Sequence, residues 1–469
     1  MQCLQVRKGR CSLRMGLITR ALAFACLVSP MARGAEAPRE GSSSFNGVPT
    51  FARDVRPILE KRCQGCHRRD QVGPFGLENY EQARKRAFDI AAVAAERSMP
   101  PWGPVAGRGP RLRDDPSLLP QEVAVLQAWA EAGAPPGELA PEGSLRPSRE
   151  SGWTLGTPDL VLEMPEEFEI PANGPDLYRC FVIPTGIRRD TYVSAVEYLP
   201  GNRRVVHHIM AFQDCRGAGR ERDASDPGPG YTSYSGAGVE VDGDLGGWAA
   251  GNIPCRLPPG IGRPLLAASD LILQVHYHPS GKPEVDRTRI GIYFAREPVK
   301  QALHWANATN DTFRLPPGRK NIEVKAAWNV PVDVEVLAVT PHMHQLGKDF
   351  RMIAILPGGR SLDLLQIDSW DPTWQNTYYF EDRIPLPKGS IVKVVAHYDN
   401  SDHPRNPHRP PRSVGWGPEV TDEMCVGYIG IVRSGQDLTR PGARDDLFDL
   451  LADQYRRNQA RLPRARQRR

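Results

Sequence analysis

Along the first third of the chain, apolar positions recur three and four residues apart. Val55, Ile58 and Leu59 lead into Cys63, and Leu119, Val123, Leu126 and Trp129 form a second stripe. That spacing keeps side chains on one face of a helix. Pro120 suits a first helical turn and Gly133 a helix end. Residues 47–135 are therefore predicted to form a small all-α domain. Residues 136–154, rich in Pro, Gly, Ser and Glu, read as a linker. Beyond residue 155 the pattern shortens into alternating or β-branched runs such as 192–198, 205–212, 271–278, 332–339 and 391–398, separated by turn residues. Alternation at that spacing predicts antiparallel β-sandwiches. About 280 residues of it exceed one ordinary sandwich. Two all-β antiparallel sandwich domains are expected, at 155–300 and 301–435, followed by a basic tail at 436–469.

Composition adds a class. With 40% hydrophobic and 25% charged residues the chain reads as globular, and 45 Pro with 44 Gly favour short strands and turns. Residues 1–35 read as an export signal. Arg7, Lys8, Arg10, Arg14 and Arg20 lead, an apolar run follows from Ala21 to Val28, and Ala32 and Gly34-Ala35 give a small-residue exit. That run is far below the roughly 20 residues a spanning helix needs, so no integral segment is expected after signal removal. A periplasmic or secreted location follows. Removing six basic residues with the signal leaves 54 basic against 55 acidic side chains. Seven of those 54 are arginines in the last fourteen positions, Arg456 to Arg469, so the body is acidic and nucleic-acid binding is not indicated.

Cys63-Gln64-Gly65-Cys66-His67 is the attachment pattern for c-type haem. Two thiols at that spacing form thioethers to one porphyrin edge, and the adjacent histidine offers an axial nitrogen. A zinc site needs about four ligands, and no other Cys or His lies between residues 36 and 150. The all-α domain is accordingly expected to be cytochrome c-like, with one covalent haem c. Met99, its only methionine, is the candidate sixth ligand.

Histidines cluster in the β region as His207-His208, His276-Tyr277-His278 and His342-Met343-His344. Residues i and i+2 of a strand share a face, so His342 with His344, and His276 with His278, can each reach one metal. Adjacent His207 and His208 share an ion only at a strand end or a bulge. Imidazole-rich sites suit zinc, copper or iron, and an added thioether favours copper. No His-Glu-x-x-His pattern supports a zinc hydrolase.

Four motifs occur in order: Val206-His207-His208, Leu273-Gln274-Val275-His276-Tyr277, His342-x-His344-x-x-Gly347-Lys348, and Asp422-Glu423-Met424-Cys425-x-x-Tyr428. Over about residues 155–435 the chain resembles the copper type II, ascorbate-dependent monooxygenases, such as the peptidylglycine α-hydroxylating and dopamine β-monooxygenases. The resemblance implies two eight-stranded sandwiches of jelly-roll type, each with one copper. His207, His208 and His276 would hold the electron-transfer copper, and His342, His344 and Met424 the oxygen-activating one. Tyr428 would stand beside the substrate. Spacing would add His278 to the first set, and the family pattern leaves it out. Thr340 stands where peptide-processing members have a carboxylate-gripping arginine, so a peptide C terminus is an unexpected substrate. Ala396, beside His397, replaces a cysteine that would pair with Cys425. Cys180, Cys215 and Cys255 allow one disulfide in three possible pairings.

The expected function is hydroxylation of a C–H bond in a small organic substrate with O2. Electrons would come through the fused haem, itself fed by an external donor. The alternative is a non-catalytic haem and copper protein for electron transfer or copper handling.

Overall fold

The computed structural model describes residues 47–68, 73–139, 152–234, 236–249 and 252–460. The expected export signal, most of the expected linker and the last nine residues lie outside them. The chain is mostly β, with 35% strand and 14% helix. No helix among the described residues is long and apolar enough to cross a membrane.

The N-terminal segment is helical, with a π-turn at Phe51–Val55 and helices Arg56–Arg62, Tyr80–Arg84, Ala87–Ala95 and Pro120–Glu131. Its apolar stripes meet in one core containing Phe51, Val55, Leu59, Ile90, Leu126 and Trp129. Glu122 caps the last helix by accepting the Leu119 N–H at 2.8 Å. The same carboxylate takes Arg62 at 3.2 Å, fixing the residue that precedes Cys63.

Residues 160–302 form two five-stranded sheets and a two-stranded ribbon. One sheet runs Leu160–Glu163, Arg289–Phe294, Thr191–Leu199, Ile261–Leu265, Gln301–Ala302; the other Tyr231–Thr232, Leu177–Pro184, Asp270–Tyr277, Val206–Asp214, Gly243–Ala249. Phe181, Val193, Ile209, Leu271, Leu273, Val275, Ile290 and Ile292 belong to one core. Every position of the central strand Asp270–Tyr277 is buried, which accounts for its unbroken apolar run.

The C-terminal sandwich has a four-stranded sheet of His304–Thr309, Val426–Arg433, Val334–His342 and Tyr378–Leu386. A second sheet contains Ile322–Asn329, Ile391–Tyr398, Gly347–Ile355 and Ser361–Ile367. Alternation in Ile322–Asn329 sends Val324, Ala326 and Trp328 inward to the core between the sheets. Leu257, Ile261 and Leu303 join Leu337 and Val432 in a small cluster that packs the two sandwiches together.

Five features bear on the expectations. A cytochrome c-like all-α domain is not seen: the helical segment has a π-turn and short helices, two of them only seven and five residues long. The sandwiches are not purely antiparallel, because Gln301–Ala302 leaves the first one alongside Ile261–Leu265 and pairs with it in parallel. No disulfide forms among the described residues, and all six cysteines are free thiols. Cys180 is buried with Sγ turned to the Gly236 carbonyl at 3.7 Å, Cys215 is exposed, and Cys255 is in a loop facing the Arg256 carbonyl. The basic tail begins as a helix, Leu447–Ala460, anchored by fully buried Leu447 and by the Trp328 indole donating to Gln454 at 2.8 Å. Finally, residues 102–113, placed by sequence within the helical domain, run along the C-terminal sandwich. There Val105 N–H donates to Gln366 at 2.8 Å, Arg113 N–H to Tyr379 at 2.7 Å, and Trp102 meets Tyr378 edge-on at 5.0 Å.

Candidate metal centres

The strand Val206–Asp214 pairs Val206 with Tyr277 and His208 with His276, so the register slips by one at His207. That bulge lets adjacent His207 and His208 turn to the same side. His208 Nδ1 lies 3.3 Å from His207 Nδ1 and 3.2 Å from His276 Nδ1. Ligand atoms of the three residues all fall within 4.8 Å of one another. Tetrahedral bonds of about 2.0–2.1 Å to nitrogen place neighbouring donors about 3.3 Å apart, so this is a metal-sized cluster. Asp176 accepts from His276 Nε2 at 2.8 Å, leaving Nδ1 to face the centre. The other Asp176 oxygen takes His278 Nδ1 at 2.7 Å, so His278 supports the cluster from outside and is itself exposed. Tyr178 stacks on the His276 ring at 4.2 Å. Burial, reinforced by neighbouring His276, pulls His207 down to about 4; burial also pulls His208 well below its ordinary value. Neutral imidazoles with free lone pairs result, as a metal requires.

The second cluster is assembled by strand pairing. His342 ends its strand opposite Val426, and Met424 precedes Val426 by two residues. His342 Nε2 reaches Met424 Sδ at 3.1 Å, and the His342 and His344 rings stand 5.2 Å apart at 88°. Gln375 Oε1 holds His342 Nδ1 at 2.5 Å, and the Asp422 carbonyl holds His344 Nδ1 at 3.2 Å. Both Nε2 atoms are thereby left for a metal. Burial lowers His342 and takes His344 down to about 3. Fully buried Glu423 accepts N–H bonds from His344 at 2.9 Å, Leu346 at 2.5 Å and Met424 at 3.2 Å, clamping both ligand-bearing segments. Burial pushes its carboxyl up to about 8, against the pull of those donors. Cys425 is buried, and burial raises its thiol to about 12. His397 lies elsewhere, paired with Asp349 at 2.6 Å.

Burial is the main cause of the low His208 and His344 values, with neighbouring imidazole charge adding to it. Tyr178, stacked on His276, donates across to the Pro418 carbonyl at 2.9 Å. Tyr428 is half-buried and pairs with Thr340, two residues before His342 on the same strand.

In the helical segment the Cys66 and His67 N–H groups both donate to the Cys63 carbonyl, at 3.1 and 2.9 Å, so the three motif residues share one turn. His67 Nδ1 is held by the Phe75 carbonyl at 3.2 Å, leaving Nε2 free. Gly73 has to be glycine here: a Cβ would lie 2.7 Å from the Cys66 carbonyl oxygen. Met99 stands after the helix Ala87–Ala95 with its side chain exposed. Asp176, Gln375 and the clamp by Glu423 escaped the sequence reading. Only Glu423 carried a signal, its place between Asp422 and Met424.

Of the two imidazole-based clusters, the one with a thioether has the softer donor set, which suits copper. Residues 305–434 match the family model of the copper type II ascorbate-dependent monooxygenase, C-terminal domain. That stretch contains His342, His344, Met424 and Tyr428, and an oxidoreductase using copper is what the match supports. No curated protein matches the chain. Solved structures resemble it only distantly. The infectious bursal disease virus VP2 subviral particle is 8% identical with a TM-score of 0.19, covering 59% of this chain and 72% of its own. The major capsid protein P2 of bacteriophage PM2 is 9% identical with a TM-score of 0.24, covering 59% and 99%. At such scores neither carries an argument.

Proposed function

We propose that the protein is an exported copper monooxygenase that hydroxylates a C–H bond of a small organic molecule and draws its electrons through its own c-type haem. The observation that carries the reading is the pair of unlike clusters, three imidazole Nδ1 atoms in one and two imidazoles with a thioether in the other. Copper at these positions would supply the redox chemistry that puts one oxygen atom of O2 into the substrate and the other into water, using two electrons and two protons. The protein's part is to keep His207, His208, His342 and His344 neutral by burial, to orient His276, His342 and His344 through Asp176, Gln375 and the Asp422 carbonyl, and to offer a soft sulfur at Met424 that favours reduced copper. Tyr428 stands where a substrate beside His342 would meet it.

Support for the haem supply is the Cys63, Cys66 and His67 turn, and exposed Met99 is the proposed sixth ligand. Arg203 counters the burial that raises the Cys66 thiol, which puts its charge within reach of the haem motif. Its guanidinium lies over the Trp248 ring at 5.6 Å, and Trp248 pairs with Ile209 beside His208. Export is proposed from the leader at residues 1–35. Metal and haem analysis of periplasmically expressed protein, with an oxygen-uptake screen, tests the whole reading. Two coppers, one haem that resists acid–acetone extraction and substrate-dependent uptake are expected. Copper without uptake on any substrate would leave only an electron carrier.

A further inference from the structure

Outside the three imidazoles of the first cluster, His278 is held as a metal ligand is held. It prolongs the line of the strand that carries His276, its N–H donating to the Val205 carbonyl at 2.8 Å. Two residues beyond His276, it falls on the same face and about 7 Å further along. One carboxylate orients both rings, since Asp176 takes His276 Nε2 on one oxygen at 2.8 Å and His278 Nδ1 on the other at 2.7 Å. A carboxylate on one ring nitrogen fixes the tautomer and leaves the lone pair of the other nitrogen for a metal. In His276 that lone pair is on Nδ1, 3.2 Å from His208 Nδ1. In His278 it is on Nε2. The His276 side chain is 1% exposed and that of His278 66%, so Asp176 presents one imidazole to the buried centre and one to solvent.

The resident centre does not need His278, because the ligand atoms of His207, His208 and His276 gather within 4.8 Å without it. Packing does not need it either, with two-thirds of its side chain in solvent. The surroundings favour a cation. Tyr178 stacks on His276 and donates to the Pro418 carbonyl at 2.9 Å, which brings half-buried Glu419, the next residue, to this side of the cluster. Burial, and after it the charges of Asp176 and Asp422, raise the Glu419 carboxyl. Gathered carboxylates raise the local concentration of a metal cation.

We propose that His278 is the loading station of the first cluster, a transient outer ligand that takes a copper ion from solution on Nε2 and passes it inward to His276, His207 and His208. The step is a ligand exchange with no change in the oxidation state of the metal. It rests on the copper reading of the cluster and adds the route by which the cluster is filled. Anaerobic stopped-flow on the full-length protein follows Cu(I) as it leaves its bicinchoninate complex. His344→Ala and Cys215→Ser in every sample weaken the second cluster and remove the exposed thiol as competitors. His278→Gln keeps an N–H for Asp176 and removes the imidazole lone pair, whereas His278→Met supplies a soft thioether and no N–H. An entry ligand lowers one barrier that is crossed in both directions, so His278→Gln should slow loading and unloading alike by about tenfold and hold affinity within about threefold. His278→Met should load within about threefold of the unsubstituted site, as a soft ligand for Cu(I). Melting curves check that each variant keeps the fold. Normal loading in His278→Gln, or slow loading in His278→Met, would overturn the proposal, the two together meaning that His278 serves only to hold Asp176. Failure of the unsubstituted cluster to take up copper would instead overturn the copper reading, and the loading route with it.

Discussion

Glu423 shows how much of a metal site is made by residues that never touch the metal. Its carboxylate holds the N–H groups of His344, Leu346 and Met424, so the loop and the strand end that carry the ligands share one anchor. An amide in its place turns an NH2 towards backbone donors. Glu423→Gln should weaken copper binding at His342, His344 and Met424 about tenfold, the scale of lost supporting bonds, and spare the His207 cluster. Competition titration with a copper chelator measures both; equal losses at the two clusters would mean general disruption. The depressed imidazoles set a second expectation. His207, His208, His342 and His344 stay neutral in the fold at pH values where unfolded histidine, near 6.5, takes up a proton. Lowering the pH through 6.5 towards 4 therefore favours the unfolded chain, and metal-free protein should lose stability there. Glu423, raised, works in the opposite direction between about 4.5 and 8, one carboxyl against four imidazoles. Melting temperatures from pH 8 to 4 should fall mainly below 6.5, and a flat profile would contradict neutral buried histidines. The histidine clusters were visible in sequence, but strand period did not predict their grouping: His342 ends its strand with His344 beyond it, and exposed His278 turns to Asp176 instead of joining His276 in the cluster. Asp176 and Gln375 were not visible, since a lone polar residue in a turn has no pattern to betray it.

At the level of elements, the bulge at His207 answers a question that spacing had to leave open, because two adjacent side chains on a regular strand diverge. Met424 likewise reaches His342 only through the pairing of Val426 with His342, a fact of register and not of local sequence. Helix stripes and strand alternation were readable because each is a local periodicity. The excursion of residues 102–113 along the C-terminal sandwich has no such period, so the sequence left it inside the helical domain at 47–135. Trp102 is its anchor, edge-on to Tyr378 and packed against the sandwich core. Trp102→Ala should cost about 3 kcal/mol and speed proteolytic cleavage within residues 103–117. An unchanged melting temperature and cleavage pattern would mean that other contacts fasten the segment.

Across the whole molecule, the proposed electron route runs from the Cys63–His67 turn to the two histidine clusters. If that order is functional, ferrous haem should be oxidised by O2 in step with product in copper-loaded protein. The same oxidation in copper-free protein would detach the haem from the copper chemistry. The central claim rests on Met424, which tells a copper centre from a packed core. A buried methionine exchanged for isoleucine usually costs under about 1.5 kcal/mol, so Met424→Ile should keep the fold, the haem and the all-histidine cluster. X-ray absorption at the copper edge of the reduced, fully loaded protein is the direct measurement. A sulfur scatterer should be present in the wild type and absent in Met424→Ile, with oxygen-dependent turnover lost alongside it. A sulfur signal unchanged by the substitution, or full turnover without it, would contradict the account.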